Sequence, residues 1–375
     1  MATIFSFFSG SGFLDLGFEN SGFNVDFVNE FHEPFLDAYR YSRKAMGHSE
    51  PKFGYYLNSI EDFVNGGGKS TELEECTRKA QSDGELVGFI GGPPCPDFSV
   101  GGKNRGHDGD NGRLTRTYVE TIIEHKPDFF LFENVKGLWR TARHRAFYDE
   151  MKSLLRENGY VLTDHLMNSI RYGAAQDRDR ILLFGIKKEL VEDLLTSEEL
   201  NNMEINEVHF NWEARTTFTL EQSLKLDSWP DTQPFREDGM SEIPAGVVEE
   251  LTVQHWFNRN DVLNHPNAMH FFKPKSSKFR EIEEGDVSKK SFKRLHRWRY
   301  SPTAAYGNNE VHLHPYLARR ISAAEALAIQ SLPSEFVLPP EMTLSNMFKT
   351  IGNGVPYLAA LGVANTINDF LAKIR

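Results

Sequence analysis

The stretch FFSGSGFLDLGF, residues 7–18, passes from an apolar run through two closely spaced glycines into a segment with helical spacing. The run TIFSFF, residues 3–8, reads as a strand leading into it. Gly10 and Gly12 let the backbone turn tightly and approach a ligand, as nucleoside and dinucleotide cofactors require. A purely structural turn would use the same glycines. The next strand candidate, VDFVNE at residues 25–30, ends on Glu30, a carboxylate placed to accept ribose hydroxyls, and Phe31 beside it could stack on a base. The same pair also reads as a surface glutamate next to a core phenylalanine.

Beyond this turn, short apolar runs keep alternating with helical patterns. LVGFIGG (86–92), DFFLFENV (128–135), YVLTDHLM (160–167) and RILLFGI (180–186) are further strand candidates. EPFLDAYRYSRKA (33–45) and HRAFYDEMKSLLRENG (144–159) are helices, the second ending on Gly159 as a helix terminus should. NGGGKSTELEE (65–75) is a loop leading into another helix. The pattern predicts an α/β fold around a parallel sheet. After Ile186 it fades into acidic segments, proline turns and aromatic pieces, and it returns with ISAAEALAIQSLP (321–333). A last helix carries Leu358, Leu361, Ala364, Ile367, Leu371 and Ile374 as an apolar stripe. A chain of 375 residues exceeds the usual size of a single core. We therefore expect a large domain (1–189), a smaller irregular one (190–318) and a return to the first (319–375).

Composition narrows the class. Apolar runs are too short to span a bilayer, and the N-terminus has neither a basic start nor a long apolar stretch, so no membrane partner and no secretory signal are expected. Cys76 and Cys95, far apart and without metal-ligand spacing, point to a reducing, intracellular setting with neither zinc nor disulfide. Net charge is −11, but it is uneven: residues 187–250 hold 16 acids against 5 bases, whereas residues 273–299 hold 10 bases against 4 acids. The basic stripe could follow a phosphate backbone; it could also be a solvated face.

The stretch GGPPCPDFS, residues 91–99, crowds three prolines around Cys95. Pro96 pushes Cys95 out of the helical region, and Pro94 fixes the backbone just before it. The thiol thus belongs to a stiff loop at the carboxyl end of a strand, where α/β folds place their active sites, although a rigid turn holding a small hydrophobe would look alike. Glu133, in FENV, closes the next strand candidate. With the two strands parallel neighbours, Cys95 and Glu133 face one cleft, and partial burial should raise the carboxyl pKa. QDRDR, residues 176–180, puts Arg178 and Arg180 two apart, on one face of an extended segment. Either arginine alone could be a salt-bridged edge.

Taken in order, FSGSGFLDLGF, GGPPCPDFS, ENV, QDRDR and GNGVP (352–356) resemble the DNA cytosine-5 methyltransferases. The likeness covers residues 1–187 and about 318–375, and the middle occupies the place of that family's target recognition domain, with SPTAAYGNNEVHLHP (301–315) similar to its usual exit. The resemblance implies a Rossmann-like S-adenosylmethionine-dependent methyltransferase domain. It makes Cys95 the nucleophile, Glu133 the group that engages cytosine N3 and the exocyclic amine, and Arg178 and Arg180 the pair near O2. The chemistry suits such residues, because cytosine C5 is too poor a nucleophile until a thiolate adds at C6 and an acid neutralises N3. Such a base must leave the duplex. The Pro93 carbonyl would accept from the cytosine amine, with Asn134 also on the substrate side.

For the cofactor the resemblance implies Phe8, Ser9, Gly10 and Gly12 around the methionine part, Glu30 on the ribose and Phe31 over the adenine. Ser59, Ile60, Pro94, Asn353 and Gly354 complete the pocket. A nicotinamide cofactor fits less well, since the turn is F-x-G-x-G rather than G-x-G-x-x-G. Three positions depart from the family pattern: Pro96 follows the cysteine in place of glutamine, Ser59 replaces an acid, and Gly354 stands where serine is common. In the basic stripe, Lys289 and Lys290 are expected on phosphates, and Arg297 and Arg299 on guanine edges; the alternative pairs those arginines with Glu283 and Glu284. The expected partner is double-stranded DNA, bound by a monomer in a bacterial cytoplasm, at the nucleoid, as part of a restriction–modification system. Alternatives are an RNA cytosine methyltransferase, disfavoured because no cysteine follows Cys95, and a catalytically dead DNA-binding module, which Cys95 and Glu133 speak against.

Overall fold

The computed structural model describes residues 2–94, 110–239, 241–304, 306 and 310–374. Its sheet has seven strands: β1 (Ala2–Phe7), β2 (Asn24–Asn29), β3 (Tyr55–Tyr56), β4 (Leu86–Gly91), β5 (Phe129–Val135), β6 (Tyr160–Asn168) and β7 (Asp179–Lys187). They lie in the order β3-β2-β1-β4-β5-β7-β6. Six match the strands expected from the alternation. β3, only two residues long, is too short to leave a periodic signal.

The sheet is not wholly parallel. β1 to β5 are parallel, but β7 runs antiparallel between β5 and β6. Residues 169–178, a 3₁₀ turn (Ser169–Tyr172) followed by the left-handed Gly173, are the whole connection between the last two strands, and a parallel crossover needs a dozen residues or more. The reversal matters for the site. It brings the start of β7, with Arg180, to the same sheet edge as the carboxyl ends of β4 and β5.

Helices cover both faces because the strands are apolar on both sides. Phe5, Phe7, Phe27, Phe89, Phe130 and Phe132 project to one face, where they meet α3 (Ser70–Ser82), α4 (Asp110–His125) and, beyond the short α5 (Gly137–Arg140), α6 (Ala142–Glu157). The rings of Phe27 and Phe89 flank that of Phe5 at 5.1 and 5.6 Å between centroids, so the neighbouring strands are zipped by aromatic pairs. Ile4, Val28, Ile90, Phe129 and Leu131 project to the other face, against α1 (Phe13–Asn20), α2 (Glu33–Ala45) and α12 (Tyr357–Leu371).

The polypeptide between the last strand and the returning segment is largely irregular. Val191, Leu195, Ile205, Phe210 and Trp212, around the short α7 (Ser197–Asn202), pack into the same core as α12. Beyond them come α8 (Val253–Arg259), α9 (Lys278–Glu281) and two small apolar clusters, one around Trp229 and Leu251, the other around Phe279, Ile282 and Leu313. The return begins with α10 (Ala323–Ile329), whose capping box joins Ser322 and Glu325, and continues through α11 (Leu344–Asn353).

The apolar stripe of α12 differs from expectation. Its buried face runs through Ala359, Ala360, Val363, Ala364, Ile367, Phe370 and Leu371, whereas Leu358, Leu361 and Ile374 are only half-buried. Small residues lie inward because α1 comes so close: a Cβ on Gly17 would sit 2.6 Å from the Ala360 carbonyl carbon. Helix propensity alone would let Gly17→Ala gain about 1 kcal/mol. The contact reverses the sign, and we expect the variant to lose about 1–3 kcal/mol in urea unfolding, the usual cost of an overpacked site.

Candidate active site

One cavity of about 1030 Å³ opens at the carboxyl ends of β1, β4 and β5, and it joins the glycine turn to Glu133. The turn is tightly wound: Phe8, Gly10 and Gly12 all have positive φ, at 53°, 56° and 80°. For phenylalanine that conformation is strained, and here it lies where β1 hands over to the turn. A Cβ on Gly12 would meet the Tyr39 ring at 2.5 Å, so only glycine fits. Glu30 is held from both sides, its Oε2 accepting from Gly10 N and its Oε1 from His32 N, each at 2.8 Å. Burial pushes its pKa up. Phe31, 74% exposed, offers its ring beside the same cavity. A carboxylate held by backbone amides and an exposed aromatic ring thus form a cradle at one end of the cavity.

The remaining walls come from segments distant in sequence. Ser59 Oγ accepts from Glu61 N at 3.3 Å and caps the 3₁₀ turn that buries Ile60, so its hydroxyl serves the backbone. Ser9, Pro93, Pro94, Asn353 and Gly354 line the cavity. Gly354 has a local reason to be glycine: a Cβ there would lie 2.2 Å from the Phe13 ring. Thr350 of α11 was not foreseen, yet its Oγ1 is 2.7 Å from Ser11 Oγ and ties the returning segment to the glycine turn. Nothing in the spacing of GNGVP marks a residue upstream of the motif.

At the other end, parallel pairing sets Gly91 beside Phe132 and hence Gly92 against Glu133, where a Cβ on the glycine would come within 2.5 Å of Oε2. Arg180 Nε lies 2.6 Å from Glu133 Oε1. The pairing explains the contact: Val135 faces Arg180, so Glu133 is its diagonal neighbour on the same face. Glu133 is 8% exposed, and burial raises its pKa against the pull of Arg180 and Arg178. Asn134 Nδ2 is buried without a hydrogen-bond partner among the described residues, a spare donor at the cavity wall. Cys95 and Pro96 lie outside the described residues.

Arg178 departs from expectation. Its guanidinium is fully buried and engaged by the protein itself, donating to the carbonyls of Ala304 (3.1 Å), Gly352 (2.8 Å) and Asn353 (3.3 Å). Both terminal nitrogens thus serve backbone carbonyls, and only Nε, buried and without a partner among the described residues, is left to donate elsewhere. Gln176 extends the same joint, accepting from Ala304 N and donating to Gln330 Oε1, both at 3.0 Å. Arg297 departs as well. Its Nε and Nη2 grip Glu284 at 2.8 Å each, its Nη1 donates to the Gly239 carbonyl, and its Cζ sits 4.3 Å from the Tyr316 ring centroid. Burial pushes Glu284 upward, but this fork holds it below its ordinary range. Such a saturated arginine braces its own domain rather than reading a base. Arg299 is half-buried over the Tyr300 ring, Lys289 is exposed, and Lys290 pairs with Glu310 at 3.0 Å; none of these lines the cavity.

The sequence matches the description of C-5 cytosine-specific DNA methylases over residues 2–369. The chain belongs to this family. Among its relatives, the Type II methyltransferase M.NmeDI of Neisseria meningitidis serogroup C is 56% identical over 370 residues, 98% of this chain and 84% of that one. M.FnuDI of Fusobacterium nucleatum is 35% identical over 187 residues, 50% of this chain and 47% of its own. Among solved structures, the fold resembles an Escherichia coli prophage-encoded DNA modification methyltransferase (TM-score 0.61, 18% identity, 99% and 100% of the two chains). It also resembles S. pombe Dnmt2 (TM-score 0.57, 11% identity, 100% and 99%).

As a member of the C-5 cytosine-specific DNA methylases, the protein transfers a methyl group from S-adenosylmethionine to cytosine in DNA. The residues present fit that cofactor: Glu30 brings a buried carboxylate and Phe31 an exposed ring to the cavity, beside the backbone of Gly10. Among the described residues no helix is long and apolar enough to cross a membrane, and no cluster of metal ligands occurs. The two arginines of this methylase's QDRDR should behave differently. Arg178→Met strands three carbonyls and is expected to lose about 3–5 kcal/mol in urea unfolding. Arg180→Met should lose less, because Glu133 can take up a proton. Equal losses would contradict the strut assigned to Arg178.

Proposed function

We propose that this methylase modifies a cytosine flipped out of a short duplex site, as the protecting half of a bacterial restriction–modification pair. One observation carries the reading: the cradle of Glu30 and the buried Glu133–Arg180 pair share a single cavity. The Type II names of the relatives support the pairing with a restriction enzyme. We take residues 1–189 and 319–375, together with the segment 191–212 that packs into their core, as the catalytic domain and the rest of 190–318 as the target recognition domain, acting as a monomer in the cytoplasm and at the nucleoid.

In this reading S-adenosylmethionine, when bound, supplies an electrophilic methyl group. Cys95 supplies the electron pair: its thiolate adds to C6, and the ring carries the displaced electrons toward N3. Glu133, held in an acid-favouring pocket, gives N3 a proton or a hydrogen bond, while the carbonyl of Pro93 and the side chain of Asn134 fix the exocyclic amine and its neighbours. Arg180 keeps Glu133 in place and brings a fixed cation to the charge that develops on the ring. After C5 is methylated, loss of its proton and departure of the sulfur restore the aromatic ring and the free thiolate. Recognition of flanking bases falls to Arg299, because Arg297 is occupied, while the exposed Lys289 meets phosphates. An RNA substrate is the weaker reading, since no cysteine follows Cys95.

Duplex DNA carrying 5-fluorocytosine in the right site is expected to trap the wild type and Cys76→Ala in a complex that survives denaturant. Cys95→Ala should not be trapped, and equal trapping of all three proteins would remove Cys95 from the nucleophile's role. The acid role of Glu133 has its own signature. Its proton is present below its raised pKa and lost as pH rises through it, so kcat should fall on the alkaline side of that value. Glu133→Gln should lower kcat by about 10²–10⁴ and erase this limb while leaving cofactor affinity unchanged. A retained limb would assign it to another group.

A further inference from the structure

Behind the glycine turn, on the side away from the cavity, lies a buried ionic cluster that the reaction does not use. Arg43, on α2, is 2% exposed. Its Nη2 donates to the Gly12 carbonyl at 2.7 Å, and its Nε lies 3.1 and 2.8 Å from the two oxygens of Glu19 on α1. Its guanidinium also stacks on the Tyr39 ring, with Cζ 4.4 Å from the centroid. One turn into α1, Asp15 is buried as well and accepts from Ser6 Oγ of β1 at 2.9 Å. Strand, turn and two helices thus meet on one cation.

We propose that Arg43 is a positioning residue for S-adenosylmethionine: it holds the Gly12 carbonyl from behind and so fixes the turn against which the cofactor is seated. The proposal rests on the reading that this turn and Glu30 hold the cofactor. Packing alone does not call for an arginine here, because apolar residues of similar volume usually replace a buried ion pair without loss of stability. What an apolar residue cannot do is bind a carbonyl. The Gly12 carbonyl also accepts from Leu16 N at 3.0 Å, the first hydrogen bond of α1, and Arg43 adds a second, charged donor that ties this left-handed residue, at φ 80°, to α2 as well. The other contacts of the turn are already made: Gly12 N donates to Ser9 O at 2.9 Å and Gly10 N to Glu30. Arg43 Nη2 is itself 2.8 Å from where a Gly12 Cβ would stand, so the guanidinium and the Tyr39 ring take the space of the missing side chain.

An anchor of the turn acts equally on ground-state and transition-state binding, so its loss should raise KM and leave kcat alone. In Arg43→Met we expect the Kd and KM for S-adenosylmethionine to rise about tenfold to a hundredfold, the worth of one charged hydrogen bond. The kcat at saturating cofactor should stay within about twofold. Arg43→Met also strands Glu19, so the full-length double variant Arg43→Met/Glu19→Gln separates the two roles. Removing the stranded charge should restore the melting temperature while cofactor affinity stays weak. Recovery of affinity together with stability would overturn the proposal, as would an Arg43→Met protein that binds cofactor like the wild type. Glu30→Ala, measured alongside, tests the underlying reading: if it leaves affinity unchanged, the cofactor site itself is misplaced and not merely its anchor.

Discussion

The site depends on one fully buried guanidinium, that of Arg178. Arg178 gathers the carbonyls of Ala304, Gly352 and Asn353, which are 126, 174 and 175 residues away in sequence. Ala304 belongs to the irregular chain before α10, whereas Gly352 and Asn353 finish α11. An apolar side chain could fill the space but would leave three acceptors without donors, in a region where each unpaired group costs about 1–3 kcal/mol. Hence the returning segment and the sheet edge are locked together by hydrogen bonds. The cavity wall on the cofactor side inherits its geometry from that lock, through Thr350 and Ser11.

The reversed β7 makes the lock possible. A parallel last strand would begin at the far end of the sheet, and Arg178 and Arg180 would stand away from Glu133. Because β7 enters from the opposite side, its first residues meet the last residues of β5, and an ion pair forms where both strands reach the cavity. The two arginines then divide by burial. Arg178, wholly buried, has its pKa pulled well down by burial and by the Arg180 cation, and serves backbone oxygens. Arg180, 8% exposed, keeps its contact with the Glu133 carboxylate at the cavity wall.

Much of this was legible in sequence because the signals were local. The alternation of apolar runs located six strands, and the α2 pattern EPFLDAYRYSRKA coincides with its helix, Glu33–Ala45. Glu30 and Glu133 could be placed because each closes a strand. What stayed hidden was relational. Strand direction is not encoded in periodicity, so the antiparallel β7 showed only as a short connection. Arg297 looked like a free donor in a basic run until its fork closed on Glu284, 13 residues earlier. Nothing in the helical pattern of EPFLDAYRYSRKA marks Arg43 as a buried cation. Charge in a sequence says nothing about which cations are already spent.

Departures from a family pattern can likewise be read only with their neighbours. Gly354, where the family commonly has serine, is matched to Phe13: the ring lies where a side chain at 354 would begin, 2.2 Å away. Phe13 in turn packs edge-on against Phe336, with centroids 5.1 Å apart, and joins the core that α10 and α11 build. Lost polar contact at 354 has thus been exchanged for apolar contact between the glycine turn and the returning segment, the same two pieces that Ser11 and Thr350 connect nearby. Ser59 follows a similar logic. Its hydroxyl accepts from the amide of Glu61 and so caps the 3₁₀ turn, and the Glu61 carboxylate is paired with Arg113. Arg113 stands on α4, just past the segment that begins with Cys95. α4 is thus tied to the 3₁₀ turn at the cavity wall by one exposed ion pair, and such a pair contributes little on its own.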